Sequence, residues 1–414
     1  MSGIININKT VLDNGLRVVH YENTSCPMVV VDVLYNVGSK DESPDHTGFA
    51  HLMEHLMFGG SVNVPDFDGI MQKSGGTNNA WTNCDFTNFY DVMPKENAEI
   101  AFYLESDRML SLSFSEDSLK VQKKVVCEEF KERNLNKPYG DVNEIINKMV
   151  FKEHPYQWLT IGKKLEHVQK TTINDVKDFF YSHYAPNNAV LSVVGNISWD
   201  EVVRLAKKWF QDIPSRNIAK RDLAPEPDQV RSRKKTVHRE VPTSKIYKIY
   251  RAPNIYDING YYTSDFLTDI LSYSKSSRLQ QHLIMDQMKF ESIESFIGSY
   301  NDEGLIYIVA TPNKNITLEE ADKIIMAEID LLKDNPPTEE EMQKVKNFYE
   351  ADRLYPTTYK DIAVDLAKSE MIRDVNDYNK RIELHNSISS AEIQKMAKKL
   401  LTKNNCSTLY YTAK

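Results

Sequence analysis

TTINDVKDFFYSHYAPNNAVLSVVG, residues 171–195, and SSAEIQKMAKKLLTKNNCSTLYYTA, residues 389–413, are one pattern written twice. Each opens on a hydroxyl residue suited to cap a helix, continues through an amphipathic helical stretch, turns at Asn-Asn and ends in a β-rich run. Thr172 corresponds to Ser389 and Asn187 to Asn404, and both offsets are 217 (389 − 172 and 404 − 187). A second pair agrees. NFYDVMPKENAEIAFYLESDRML (88–110) and LIYIVATPNKNITLEEADKIIMAEIDLL (305–332) each read as strand, Pro-polar turn and helix. Pro94 corresponds to Pro312, and 312 − 94 = 218. Strand–turn–helix units are common, but separate matches at a nearly constant offset indicate duplicated domains.

Working outward, 414 residues are too many for one ordinary core. The join is expected in 214–235, PSRNIAKRDLAPEPDQVRSRKK, a polar stretch with three prolines. That leaves a domain of residues 1–213 and a homologous one of 236–414. Runs such as Val29–Val37 and Thr87–Val92 are strands whose short turns favour antiparallel pairing. The expected fold class is α+β: two homologous domains, each a mostly antiparallel sheet with helices packed on one face.

The composition excludes several roles. Hydrophobic residues are 41%, charged residues 27% and the formal net charge −8, a soluble globular balance without the basic face of a nucleic-acid binder. The one compact basic run, Arg231–Lys235, reads as part of the solvated linker. No apolar run approaches the roughly 20 residues that cross a bilayer, and the N-terminus lacks the pattern of a secretory signal. Cys26, Cys84, Cys127 and Cys406 form no CxxC pair. They read as reduced thiols of a cytoplasmic protein.

The chemistry is concentrated in His51-Leu52-Met53-Glu54-His55. On a helix His51 and His55 project from one face, one turn apart, and can grip one ion. Zinc suits two imidazoles and a carboxylate, with a fourth position left for water. It lowers the pKa of that water towards ~7, and Glu54, on nearly the same face, can take the proton. Gly48 precedes the helix and Phe58-Gly59-Gly60 ends it. The bland alternative is a pair of structural histidines, so a third ligand is needed. Glu128, Glu129 and Glu132 lie on one expected helix, but adjacent helical residues diverge by about 100°, so they cannot all serve. The residue pattern leaves that choice open.

H-x-x-E-H inverts the common zinc-peptidase order. Around it stand LDNGLRVV (12–19), VGSKDE (37–42), TGFAHLMEHLMFGG (47–60), GGTNNAWTNCDFTNFY (75–90), VVCEEF (125–130), HPY (154–156), YAPNNAVLSVVGNI (184–197) and SSRL (276–279). In these the chain resembles the family of pitrilysin, insulin-degrading enzyme and mitochondrial processing peptidase over nearly its full length. The resemblance implies one zinc per chain, held by His51, His55 and the glutamate that ends V-V-x-E-E, here Glu129, with Glu128 as the alternative. Cobalt or manganese would suit the same donors. It makes Glu54 the catalytic residue. It also implies a supporting residue two turns before the third ligand, usually Glu, which here is the uncharged Gln122. Residues 75–90 are implied to form an edge strand on which a peptide substrate pairs, with Asn79 and Ala80 at the contacting positions.

One departure stands out. Active members of the family carry an Arg and a Tyr seven residues apart in the second half, which help hold substrate and oxyanion. In that register stand Ile284 and Glu291. Carrying His51, Glu54 and His55 forward by 217 gives Thr268, Leu271 and Ser272, so the second domain is expected to hold no metal. The resemblance therefore implies a zinc endopeptidase acting on peptides or unfolded segments in an enclosed chamber. It further implies the zinc-bearing subunit of a heterodimer whose homologous partner supplies the Arg/Tyr pair. A non-catalytic scaffold subunit that keeps a metal site is the alternative, and an organellar presequence peptidase subunit ranks below both.

Overall fold

The structure is a computed structural model and describes residues 4–218, 222–354 and 358–414. It is α+β, with two sheets among the described residues. The first holds β1 (Ile7–Val11), β2 (Arg17–Glu22), β3 (Met28–Tyr35), β4 (Thr77–Thr82), β5 (Thr87–Pro94) and β6 (Ala189–Gly195), in the order β1-β2-β6-β3-β5-β4. The second holds β7 (Arg233–Arg239), β8 (Lys245–Ala252), β9 (Phe290–Gly298), β10 (Gly304–Pro312) and β11 (Cys406–Ala413), in the order β7-β11-β8-β10-β9. Without β1, the two orders are the same. Each sheet has one parallel pair, β2 with β6 and β7 with β11, and is otherwise antiparallel. The starts of β3 and β8 differ by 245 − 28 = 217, those of β5 and β10 by 304 − 87 = 217, and those of β6 and β11 by 406 − 189 = 217. The sequence repeat is a repeat of fold.

The paired segments behave as their sequences require. Thr172 and Ser389 each cap a helix through a reciprocal box, with Asp175 and Glu392 at the third position. β6 is buried along its whole length and β3 along all but Met28, so both strands are covered on two faces. That explains their unbroken apolar runs in place of an alternating pattern.

The chain divides into two compact units. One comprises Met1–Leu135, Trp158–Leu223 and Pro356–Lys380; the other comprises Asn136–Gln157, Ala224–Tyr355 and Arg381–Lys414. They do not follow a single cut in the 214–235 linker. The helix Val142–Val150 buries Val142, Ile145, Ile146, Met149 and Val150 and packs on β11 and β8 of the second sheet. The helix Tyr359–Ile372 packs Ile362, Ala363, Leu366 and Ala367 against Val19, Val30, Leu34, Val190 and Val194 of the first. These two helices are themselves counterparts, since 359 − 142 = 217. Each half of the chain thus lends the same helix to the other half's unit. In the first unit the remaining main helices share the opposite face of the sheet, so helices cover both faces rather than one.

The basic run Arg231–Lys235 is not all linker. Arg233, Lys234 and Lys235 open β7, the edge strand beside β11. Charged residues suit an edge exposed to water. Arg233 also donates to the carbonyls of Met149 and Val150, and Lys234 donates to the Tyr410 hydroxyl at 2.6 Å.

Candidate metal centre

The helix Phe49–Leu56 starts abruptly. Gly48, its N-cap, has φ +90°, and a Cβ there would meet the Ile161 carbonyl oxygen at 2.8 Å and Val168 Cγ2 at 2.9 Å. Only glycine fits that turn. The first helical amides need acceptors, and Glu42 supplies them. Its buried carboxylate accepts from Gly48 N and Ala50 N, both at 2.9 Å. Burial pushes the Glu42 carboxyl up to about 8, while the backbone amides pull the other way. Leu52, Met53 and Leu56 anchor the helix in the core, which leaves His51, Glu54 and His55 on its polar side. Gly59 N closes the helix on the Leu56 carbonyl, and Gly60 leaves it at φ +99°.

The helix Glu116–Phe130, capped by Ser115, brings up Glu129. Glu129 Oε2 lies 3.3 Å from His55 Nε2 and 3.7 Å from His51 Nε2. One donor atom from each of the three residues falls within 4.8 Å of the others. A tetrahedral ion with zinc-like bond lengths places its donors roughly 3.3 Å apart, close to the spacing of Glu129 from each histidine, and two imidazoles with a carboxylate are a donor set that suits zinc. The other candidate acids turn away. Glu128 is exposed and pairs with Lys131 at 2.7 Å, and Glu132 is exposed.

The electrostatics suit metal binding. Burial, with His55 alongside, pushes the His51 imidazole down to about 4, so the ring is neutral and keeps a lone pair. The hydrogen bond with His55 holds the Glu129 carboxyl below its usual range. Glu54 lies beside this cluster, and burial pushes its carboxyl up, opposed by a hydrogen bond from Thr82 Oγ1 at 2.5 Å. His51 Nδ1 is buried and, among the described residues, has no hydrogen-bond partner. Gln122, half-buried on the Glu129 helix, therefore does not bond to it.

Asn79 and Ala80 lie on β4, which is the open edge of the first sheet. The Ala80 N–H is donated to Asn79 Oδ1 at 2.8 Å. It thus faces away from β5.

Comparison with known proteins identifies the family. Residues 17–164 match the family model described as insulinase (peptidase family M16), and residues 170–349 match the one described as peptidase M16 inactive domain. The zinc protease PqqE of Helicobacter pylori is 30% identical, over 89% of each chain. The chain belongs to peptidase family M16. A Bacillus subtilis protein described as the uncharacterized zinc protease YmxG is 26% identical over 82% of each chain. The crystal structure of a protease from Helicobacter pylori is 27% identical and superposes with TM-score 0.91, covering 99% of this chain and all of that one. Pitrilysin, 18% identical, shares the fold with TM-score 0.83 over 99% of this chain and 45% of its own.

Within the M16 fold, the second unit's helix Ile258–Ser272 carries Thr268, Leu271 and Ser272 where the first carries His51, Glu54 and His55. All three are buried, and none can bind a metal with an imidazole or carboxylate. Ile284 packs on the second core and Glu291 is exposed on β9, so neither is an oxyanion donor. Arg278 is engaged elsewhere, forked onto Glu341 at 2.7 and 2.9 Å. Among the described residues, no helix is long and apolar enough to cross a membrane.

Three site residues escaped the sequence reading: Glu42, Thr82 and Arg133, whose guanidinium lies 2.8 Å from Glu129 Oε1. Glu42 and Thr82 stood inside quoted segments, but no spacing links them to the histidines. Arg133 follows Glu129 by one turn, and that is the one local signal.

Proposed function

We propose that this M16 chain is a zinc-dependent endopeptidase cleaving peptides or unfolded segments that pair with β4. The observation that carries the reading is Thr82, which sits at the end of the open edge strand and hydrogen-bonds Glu54, the carboxylate beside the His51–His55–Glu129 cluster. It joins the peptide rail to the base.

His51, His55 and Glu129 would hold the metal. Zinc bound there supplies Lewis-acid activation of water and of the scissile carbonyl. Glu54, half-buried and with its carboxyl pushed up, is suited to accept the water's proton and return it to the leaving amine. β4 offers backbone groups to any extended chain, because an incoming strand has only to displace the Asn79 side chain from Ala80 N. Arg133 holds the oxygen of Glu129 that faces away from the histidines and so orients this ligand.

The reading includes a heterodimer. Ile284 and Glu291 stand at the two positions where the resemblance implies an Arg and a Tyr, and neither can donate to an oxyanion there; a homologous subunit with an Arg/Tyr pair would supply those donors. It also includes a cytoplasmic site of action, supported by four unpaired thiols. The same absence of donors favours a second reading, a scaffold subunit that keeps its metal.

The test is zinc content together with peptidase assays of the chain alone and with a homologous partner. The proposal expects about one zinc per chain, turnover that needs the partner, and loss of turnover in Glu54→Gln with zinc retained. Zinc-loaded chain that stays inactive with every partner favours the scaffold. Strong turnover by the chain alone removes the heterodimer.

A further inference from the structure

β4 has two faces. Thr82 and Ala80 look towards the histidine helix, since Thr82 bonds Glu54 and Ala80 packs on the first core. Trp81 packs on the other face, in the cluster that the helix Tyr359–Ile372 covers. There Lys368 of that helix lays its ammonium 4.8 Å from the centroid of the Trp81 ring. A ring face attracts a cation without neutralising it. Among the described residues no carboxylate forms an ion pair with Lys368, whereas its neighbour Lys360, over the Tyr90 ring at 5.7 Å, pairs with Asp361 at 3.3 Å. The buried acid on the same face is Asp32, which accepts from Asn88 Nδ2 at 2.7 Å. Burial pushes its carboxyl up to about 8, against the pull of the Asn88 hydrogen bond and of Lys368 itself.

A strand added to the edge lies roughly 4.8 Å from β4. Residues directly opposite each other across such a pair share a face. The substrate residue opposite Trp81 therefore extends its side chain over the indole, on the face that carries Lys368. The ring would offer a surface to the aliphatic part of that side chain, with the Lys368 ammonium near its end.

We propose that Lys368, seated on Trp81, forms a substrate subsite that selects an acidic side chain at the position opposite Trp81. This deepens the peptidase reading and rests on β4 being the peptide rail. The subsite is assembled by the helix that the second half of the chain contributes to the first unit.

The experiment uses the zinc-loaded, full-length Glu54→Gln chain and fluorescein-labelled extended peptides. These are identical except for one Glu, Gln or Lys stepped along the sequence. Binding is read by fluorescence anisotropy. A solvent-accessible ion pair of this kind predicts up to about fivefold tighter binding for Glu than for Gln at the favoured position, fading with added salt. The preference should recur at alternate peptide positions only, because side chains of a strand alternate. Lys368→Met, which keeps the stem on Trp81, should abolish it, and Lys368→Glu should turn it towards Lys. Ala80→Pro removes an N–H that points away from β5 and should weaken every peptide alike. Equal binding of the Glu, Gln and Lys peptides, or a preference unmoved by Lys368→Glu, overturns the subsite while the Ala80→Pro loss keeps the rail. No binding at all, or binding indifferent to Ala80→Pro, overturns the rail and this inference with it.

Discussion

Replacing Thr82 by valine probes how the proposed base is tuned. Thr82 Oγ1 donates to Glu54 Oε2 at 2.5 Å, and this bond is the first force that opposes the effect of burial on the Glu54 carboxyl. A hydrogen bond to a charged group contributes about 1.5–3 kcal/mol. One pH unit corresponds to about 1.4 kcal/mol, and the partial exposure of the site argues for the lower end. Valine has nearly the shape of threonine and no donor. Glu54 acts as a base only when ionised, and the lost donor penalises the ionised form. Its pKa therefore rises, and the acidic limb of the kcat/KM profile moves to higher pH by about one unit. Activity returns on the alkaline side, where Glu54 is ionised in both proteins. The assay is a pH–rate profile of peptide cleavage by whichever assembly turns over, with Thr82→Ser as the control that keeps the donor. A Val profile that coincides with wild type sinks the argument, as does a Ser profile displaced as far as the Val one.

Other outcomes follow from the same geometry. Glu129→Gln should weaken zinc binding by at least about 100-fold in chelator competition, more than a supporting residue contributes, whereas Glu128→Gln, exposed and paired with Lys131, should change it by less than about twofold. Gly48→Ala combines a left-handed φ of +90° with a Cβ 2.8 Å from a carbonyl oxygen. It should cost about 2–4 kcal/mol in urea unfolding and weaken zinc binding, because His51 lies in the first turn of the displaced helix. Leu366→Ala should destabilise the first unit by about 2–5 kcal/mol, read as faster amide exchange in β3 and β6, although residue 366 lies in the second half of the chain. Exchange confined to β8 and β11 would contradict the helix exchange.

The repeat, the α+β class and the histidine helix were all legible in the chain. They depend on local rules: capping boxes at Thr172 and Ser389, strand-length apolar runs, and two histidines one helical turn apart. A constant offset of 217 could be read because duplication preserves spacing. The linker ends sooner than its composition suggests, since Arg233 to Lys235 look solvated until β11 pairs with them. The Val142–Val150 and Tyr359–Ile372 helices show the limit most clearly. Their apolar faces can be found in the sequence, but a hydrophobic face does not say which sheet it will cover, because burial is non-directional.

The same limit governs the centre. His51 and His55 are brought together by one helix, so their spacing was enough. Glu129, and not Glu128 or Glu132, faces the histidines because of the way a second helix packs, and helix packing depends on side chains far from the acids. Thr82 reaches Glu54 across 28 residues, Glu42 caps the histidine helix from a preceding turn, and Lys368 meets Trp81 from the far half of the chain. Such long-range pairs leave no period or spacing in a sequence, because their proximity exists only once the sheet and its helices have packed.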